Sequence, residues 1–266
     1  MSTLLCFHAH PDDECIGTGG TIARAAEQGH RVVLVVATNG DHGEIPSDLA
    51  DGETLMDRRK KETEASAAVL GIDTVLWLGY ADSGMTGWEQ NSHQNAFMNA
   101  PIDEAAEKLA QILRTENVDL LTTYDWHGGY GHPDHIQVHH VGHRAAELAT
   151  NVRVLEGTMN RDRMRALMDY ARKMGAFSTD DEGFDPDGPA DDGNPMGTTE
   201  DEINLRVDVM AYAAKKREAM ACHASQLGDS GFFLKMGEEQ FAMAFGTEWF
   251  IDPASNEPLR DGWIFE

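Results

Sequence analysis

Short apolar runs alternate with Ala-, Leu-, Glu- and Arg-rich stretches along most of this chain, and that alternation restricts the fold more than any other feature. Residues 4–8, 32–37, 74–78, 119–123 and 152–156 read as short buried strands. Between them, 21–28, 56–70, 103–115 and 135–150 read as helices. Strand–helix alternation implies an α/β fold, Rossmann-like, with a mostly parallel sheet and helices on both faces. Ligands in such sheets bind beyond the carboxyl ends of the strands. Two long loops interrupt the pattern. Residues 79–100 are expected to overhang the binding edge, and the acidic stretch 178–202 to form a mobile surface insertion. A strand at 203–207 and a helix at 209–223 follow, then an irregular aromatic-containing tail. The whole of 1–266 reads as one domain.

Charge narrows the choice of partner. Acidic residues outnumber basic ones 46 to 21, for a formal net charge of −25, so nucleic acid and anionic membranes are repelled. Three cysteines with no C-x-x-C pair fit a reducing compartment. The first apolar run has no basic stretch before it and is too short to span a bilayer. A cytoplasmic location is expected.

Chemistry concentrates at the ends of two strands. The first carries "HAHPDDE", residues 8–14. So many like charges on one turn are costly unless something positive sits among them. His10 and Asp13 can offer one imidazole and one carboxylate to the same cation, a donor pair that suits zinc or another first-row metal better than calcium or magnesium. Asp12 points elsewhere and remains free as a base. A structural reading also stands, in which the acids complement a helix N-terminus. His8 is read as structural, satisfied by a backbone carbonyl. Downstream, the glycines of "GTGG" do not complete a dinucleotide fingerprint. The acids before them oppose a pyrophosphate, so these glycines are read as packing positions.

The second constellation, "TYDWHGGYGHPDHIQVHH", repeats the H-P-D pattern after the 119–123 strand, with Pro133 placed to open a helix. Spacing does not decide which of its histidines joins His10 and Asp13. His139, His140 and His143 are read as a solvated helix face. Two H-P-D turns at two strand ends can nonetheless share one crevice. Three ligands with an open fourth position are the arrangement of a catalytic metal.

"AHPDDE" together with "GHPDH" resembles the signature pair of the LmbE/PIG-L family of zinc-dependent N-deacetylases. The extended forms resemble its mycothiol branch, which holds an N-acetylglucosaminyl-inositol deacetylase and a mycothiol S-conjugate amidase. "GYADSGM" and "CHASQ" also fit. The resemblance implies an LmbE-like fold and a small N-acetylated amino sugar or its conjugate as substrate. It implies Zn2+ held by His10, Asp13 and His135, with water in the fourth position; the donors suit Fe2+ as well. It makes Asp12 the general base and His132 the general acid and electrostatic stabiliser, oriented by Asp134. Tyr130 falls near the substrate carbonyl, and Arg59 and Asp82 at sugar-binding positions. Hydrolysis of a cysteinyl–glucosamine amide is the alternative within the family, and a non-catalytic metal or sugar sensor the alternative outside it. A homo-oligomer is compatible with all three.

Overall fold

A computed structural model describes residues 1–173 and 185–266. The elements run β1 (Thr3–His8), α1 (Asp13–Gly17), α2 (Gly19–Glu27), β2 (Arg31–Thr38), α3 (Leu55–Leu70) and β3 (Thr74–Tyr80). They continue with α4 (Ile102–Thr115), β4 (Leu120–Tyr124), α5 (Pro133–Ala149), β5 (Arg153–Thr158) and α6 (Arg161–Lys173). After the undescribed stretch come β6 (Leu205–Asp208), α7 (Ala213–Cys222), α8 (Leu227–Leu234), α9 (Glu238–Phe245), β7 (Thr247–Ile251) and β8 (Arg260–Asp261). No helix among the described residues is long and apolar enough to cross a membrane.

One eight-stranded sheet organises these elements in the order β3-β2-β1-β4-β5-β7-β6-β8. Its first five strands are parallel neighbours. Because side chains alternate across a strand, β1 and β2 feed two cores at once. Leu4, Cys6, Val32, Leu34 and Val36 face one side with Ile22, Leu70 and Met220. Leu5, Phe7, Val33 and Val35 face the other with Leu109, Leu113, Val138 and Val141. Strands covered on both faces read as unbroken apolar runs, which is why the sequence makes them visible. Local signals agree at the helix ends: Thr54 and Asp57 form a reciprocal cap on α3, and His132 caps α5 with Pro133 next to it.

The C-terminal tail is not irregular. It supplies α8, α9 and β7, and β7 inserts antiparallel between β5 and β6. Its period is hidden because one inward position holds a charge, Glu248 beside the apolar Phe250. That carboxylate accepts the backbone N–H groups of Gly20 and Thr21, each at 2.8 Å, and the Lys216 ammonium at 2.6 Å. It thereby occupies the N-terminus of α2, where the helix dipole favours an anion, and α2 starts at Gly19 rather than at residue 21. A Cβ on Gly20 would come within 2.5 Å of Val209, so the packing role expected of "GTGG" holds at this glycine.

Lys216→Met would leave the Glu248 charge buried with only its two backbone donors. We expect a loss of about 3 kcal/mol, the lower end of the range for breaking a buried pair. Urea unfolding of the variant measures it, and a midpoint equal to that of the parent protein would refute it.

Candidate active site

Strands β1 and β4 are adjacent and parallel, so the turns that leave them emerge side by side. The two H-P-D motifs meet there. Asp13 Oδ2 lies 3.4 Å from His10 Nδ1 and 3.4 Å from His135 Nε2. Ligands on a tetrahedral zinc at about 2.0–2.1 Å stand roughly 3.3–3.4 Å apart, and both separations from Asp13 match that spacing.

Hydrogen bonds select the nitrogens. His135 Nδ1 lies 3.1 Å from Gly128 O, so its proton is on Nδ1 and the Nε2 lone pair is free. His10 Nε2 lies 3.2 Å from Asp134 Oδ2, which leaves its Nδ1 facing Asp13. Imidazoles that donate one N–H to an oxygen and keep the other nitrogen basic are arranged as metal ligands commonly are. His132 differs. One nitrogen each from His10, His132 and His135 falls within a common 4.8 Å, but His132 Nδ1 accepts the backbone N–H of Asp134. The single proton of a neutral ring is then on Nε2, which makes His132 a donor rather than a ligand. His10, Asp13 and His135 can offer donors to a cation here, Asp82 and Asp134 also flank the His10 ring, and imidazole with carboxylate suits zinc or iron.

Glycine makes the His135 contact possible. Gly128 has φ 68°, and a Cβ there would approach His135 Cβ to 2.3 Å. The turn around it is tied by Asp125, whose carboxylate accepts the N–H of Gly129 and of His127. The Tyr124 ring stacks on His135 at 4.4 Å. Its hydroxyl bonds His8 Nδ1 at 2.8 Å, and Thr18 Oγ1 takes His8 Nε2 at 2.9 Å. His8 is thus satisfied by two hydroxyls, not by the backbone carbonyl expected.

Asp12 stands apart from the ligands on a backbone at φ 99°, ψ −27°, unusual for any residue but glycine. Burial lifts its carboxyl to about 6. The Arg59 guanidinium, 3.2 Å away, offsets only part of that effect, and the Asp13 charge adds to it. A carboxyl poised near neutrality is suited to take a proton. The turn is held from below. Asp12 N–H donates to Glu14 Oε2, and Glu14 Oε1 in turn receives Ser66 Oγ and His223 Nε2. Arg59 donates to Pro11 O, Gly40 O and Asp12 and is only 3 % exposed. In this structure it supports the turn and has almost no surface to offer a sugar.

The remaining residues close the other side. Asp82 Oδ1 is 3.5 Å from His10 Nε2 and accepts Gly84 N–H. Burial alone would lower the His10 imidazole's pKa, but Asp82, Asp13 and Asp134 outweigh it and raise it well above 6.5. Burial, reinforced by the His10 and His135 rings, pushes His132 down to about 2. Asp134 departs from its expected part. Its carboxylate bonds Ser83 N, Ser83 Oγ and His10, so the side chain orients a ligand ring, and only its backbone reaches His132. The Tyr130 hydroxyl is 3.5 Å from His135 Nε2.

The acidic insertion also differs from expectation. Part of it lies outside the described residues; in the rest, Asp191 N–H donates to Tyr130 O and Gly197 N–H to Gly129 O. The Asp191 carboxylate accepts Thr86 N–H as well, so this stretch clamps two loops of the site instead of wandering over the surface. The sequence gives Tyr124, Ser83 and His223 no individual role, whereas Glu14 belongs to the first acidic cluster. Ser83 sits inside the quoted "GYADSGM" and His223 inside "CHASQ", and those motifs were the available signal.

Residues 5–146 match the PIG-L family, described as GlcNAc-PI de-N-acetylase. The chain belongs to the PIG-L family. Relatives agree over nearly its whole length. A 1D-myo-inositol 2-acetamido-2-deoxy-alpha-D-glucopyranoside deacetylase of Thermobifida fusca is 40 % identical, covering 98 % of this chain and 96 % of the relative. The enzyme of the same name from a Nocardioides species is 38 % identical over 93 % and 90 %. Among solved structures, the N,N'-diacetylchitobiose deacetylase of Pyrococcus horikoshii superposes with a TM-score of 0.59 at 24 % identity, covering 94 % of this PIG-L chain and 82 % of its own. A 4-carboxy-2-hydroxymuconate hydratase of Pseudomonas putida scores 0.60 at 17 %, covering 98 % and 100 %. The same architecture thus occurs in a hydratase as well as in deacetylases, and fold alone does not fix the reaction.

Proposed function

We propose that this PIG-L protein is a zinc-dependent hydrolase that removes the acetyl group from an N-acetylglucosamine joined to inositol. The observation that carries the reading is the meeting of His10 Nδ1 and His135 Nε2 on one Asp13 oxygen, with Asp12 beside them and not among them. When bound, the cation supplies a Lewis acid that acidifies water and polarises the amide carbonyl. Asp12 accepts the proton of the attacking water. His132 presents its Nε2–H to the oxygen that gains charge, and Tyr130 offers a second donor from the loop above. The C–N bond breaks as the departing amine takes up the proton that Asp12 accepted from water, and acetate and the free amino sugar leave; His132, neutral with its one proton on Nε2, serves as the oxyanion donor and not as the general acid that the family resemblance implies. Asp82 and the 79–100 loop bound the space for the sugar, and the substrate is a small molecule. The near-full-length likeness to the two inositol glycoside deacetylases supports that choice of aglycone.

A panel of N-acetylated glucosamine glycosides, assayed for acetate release before and after chelation, tests the proposal. We expect fastest turnover on the inositol glycoside and loss of activity with chelator, restored by zinc. Cleavage of a cysteinyl–glucosamine amide in preference to acetate release would move the assignment to the conjugate amidase.

A further inference from the structure

Three side chains outside the reaction centre stand together where α5 crosses β5. His139 and His143 are one turn apart on α5, and Glu156 lies on β5. One nitrogen from each ring and a Glu156 oxygen all fall within 4.8 Å of one another. His143 Nε2 is 2.7 Å from Glu156 Oε1, and His139 Nδ1 is 3.7 Å from the same oxygen. These histidines do not form the solvated face expected of them. Side-chain exposure is 16 % for His139, 30 % for His143 and 10 % for Glu156, and of the three neighbouring rings only His140 is open to solvent.

We propose that His139, His143 and Glu156 form a second divalent-metal site. It would take a first-row transition ion such as Zn2+, Co2+ or Ni2+, with water completing the shell. Two imidazoles and one carboxylate are donors for such ions rather than for Mg2+ or Ca2+. Helical i, i+4 spacing brings the two rings to one side of α5, with centroids 4.5 Å apart. His139 Nδ1 is 3.0 Å from Tyr124 O and 3.7 Å from Glu156 Oε1, so the nitrogen that faces the carboxylate is the one bonded to the carbonyl, and a cation would take its lone pair with the ring proton moved to Nε2. A cation would replace the proton shared by His143 and Glu156 and open that contact from 2.7 Å to roughly 3.3 Å. The partly exposed His143 can accommodate such a shift. The site is linked to the catalytic one through Tyr124, whose carbonyl meets His139 and whose ring covers His135.

Chelator-stripped full-length protein titrated with Co2+, followed by visible absorption and by elemental analysis after desalting, tests the proposal. Wild type should take up two equivalents. His143→Asn and Glu156→Gln should each take up one and keep the acetate-releasing activity that the first equivalent restores. His135→Ala should also take up one, but without activity. This separates failure of the second site from failure of the assignment at the first. A single equivalent in wild type, or an unchanged count in both His143→Asn and Glu156→Gln, would overturn the proposal and leave a hydrogen-bonded helix–strand contact. Thermal melts monitor folding, and the two substitutions lie on different elements so that one misfolded variant does not decide the result.

Discussion

Asp12→Asn is expected to bind metal as the parent protein does and to turn over substrate at least ~100-fold more slowly, the usual scale for loss of a general base. Asparagine keeps the shape of the side chain, tolerates the φ of 99° at this position, and can still face Arg59. Asp12→Ala should lose at least as much activity and some stability, because alanine is strained in that conformation by about 1–3 kcal/mol. Turnover measured beside metal content by elemental analysis separates chemistry from ligation. An asparagine variant with full activity would remove Asp12 from the mechanism, and one that loses its metal would make Asp12 a ligand.

His135→Ala should have the other large effect, in the opposite column of that measurement. Removing an outer-shell partner of a metal ligand costs 10–100-fold in affinity, and removing the ligand itself should cost more. The metal equivalent that supports acetate release should vanish, and activity with it. His139→Ala is the control one turn along the same helix: it should keep that equivalent and its activity. The reverse outcome would mean that the wrong ring was assigned. The tautomers argue against that, since His139 has no contact with Asp13 while His135 Nε2 lies 3.4 Å from it.

The parallel half of the sheet was legible because both of its faces are apolar, and a strand such as 32–37 needs no partner to be recognised. β7 was not, because Glu248 breaks its inward period, and only the folded structure brings Lys216 and the start of α2 to that carboxylate. The two H-P-D turns were visible as motifs, and parallel topology explains why they meet. Which imidazole faces Asp13 was invisible to spacing, because it depends on where each ring places its proton: Gly128 O fixes His135, and a backbone N–H fixes His132. Arg59 and Asp134 make contacts other than those the family resemblance implies, for a related reason. Both belong to buried networks that reach partners distant in sequence: Arg59 bonds Pro11 O and Gly40 O, and Asp134 bonds Ser83.

The position of β7 bears on how the polypeptide reaches its final form. β5 is laid down by residue 158, yet its outer neighbour is residues 247–251, and the intervening β6 pairs with β7 and β8, not with β5. On the ribosome, the catalytic turns are therefore made long before the sheet beside them is completed. Until the last twenty residues emerge, β5 presents an open row of backbone donors and acceptors, a template for another nascent chain. Nicking or shortening the molecule ahead of residue 247 would recreate that exposed border in mature protein, and self-association would be its first symptom.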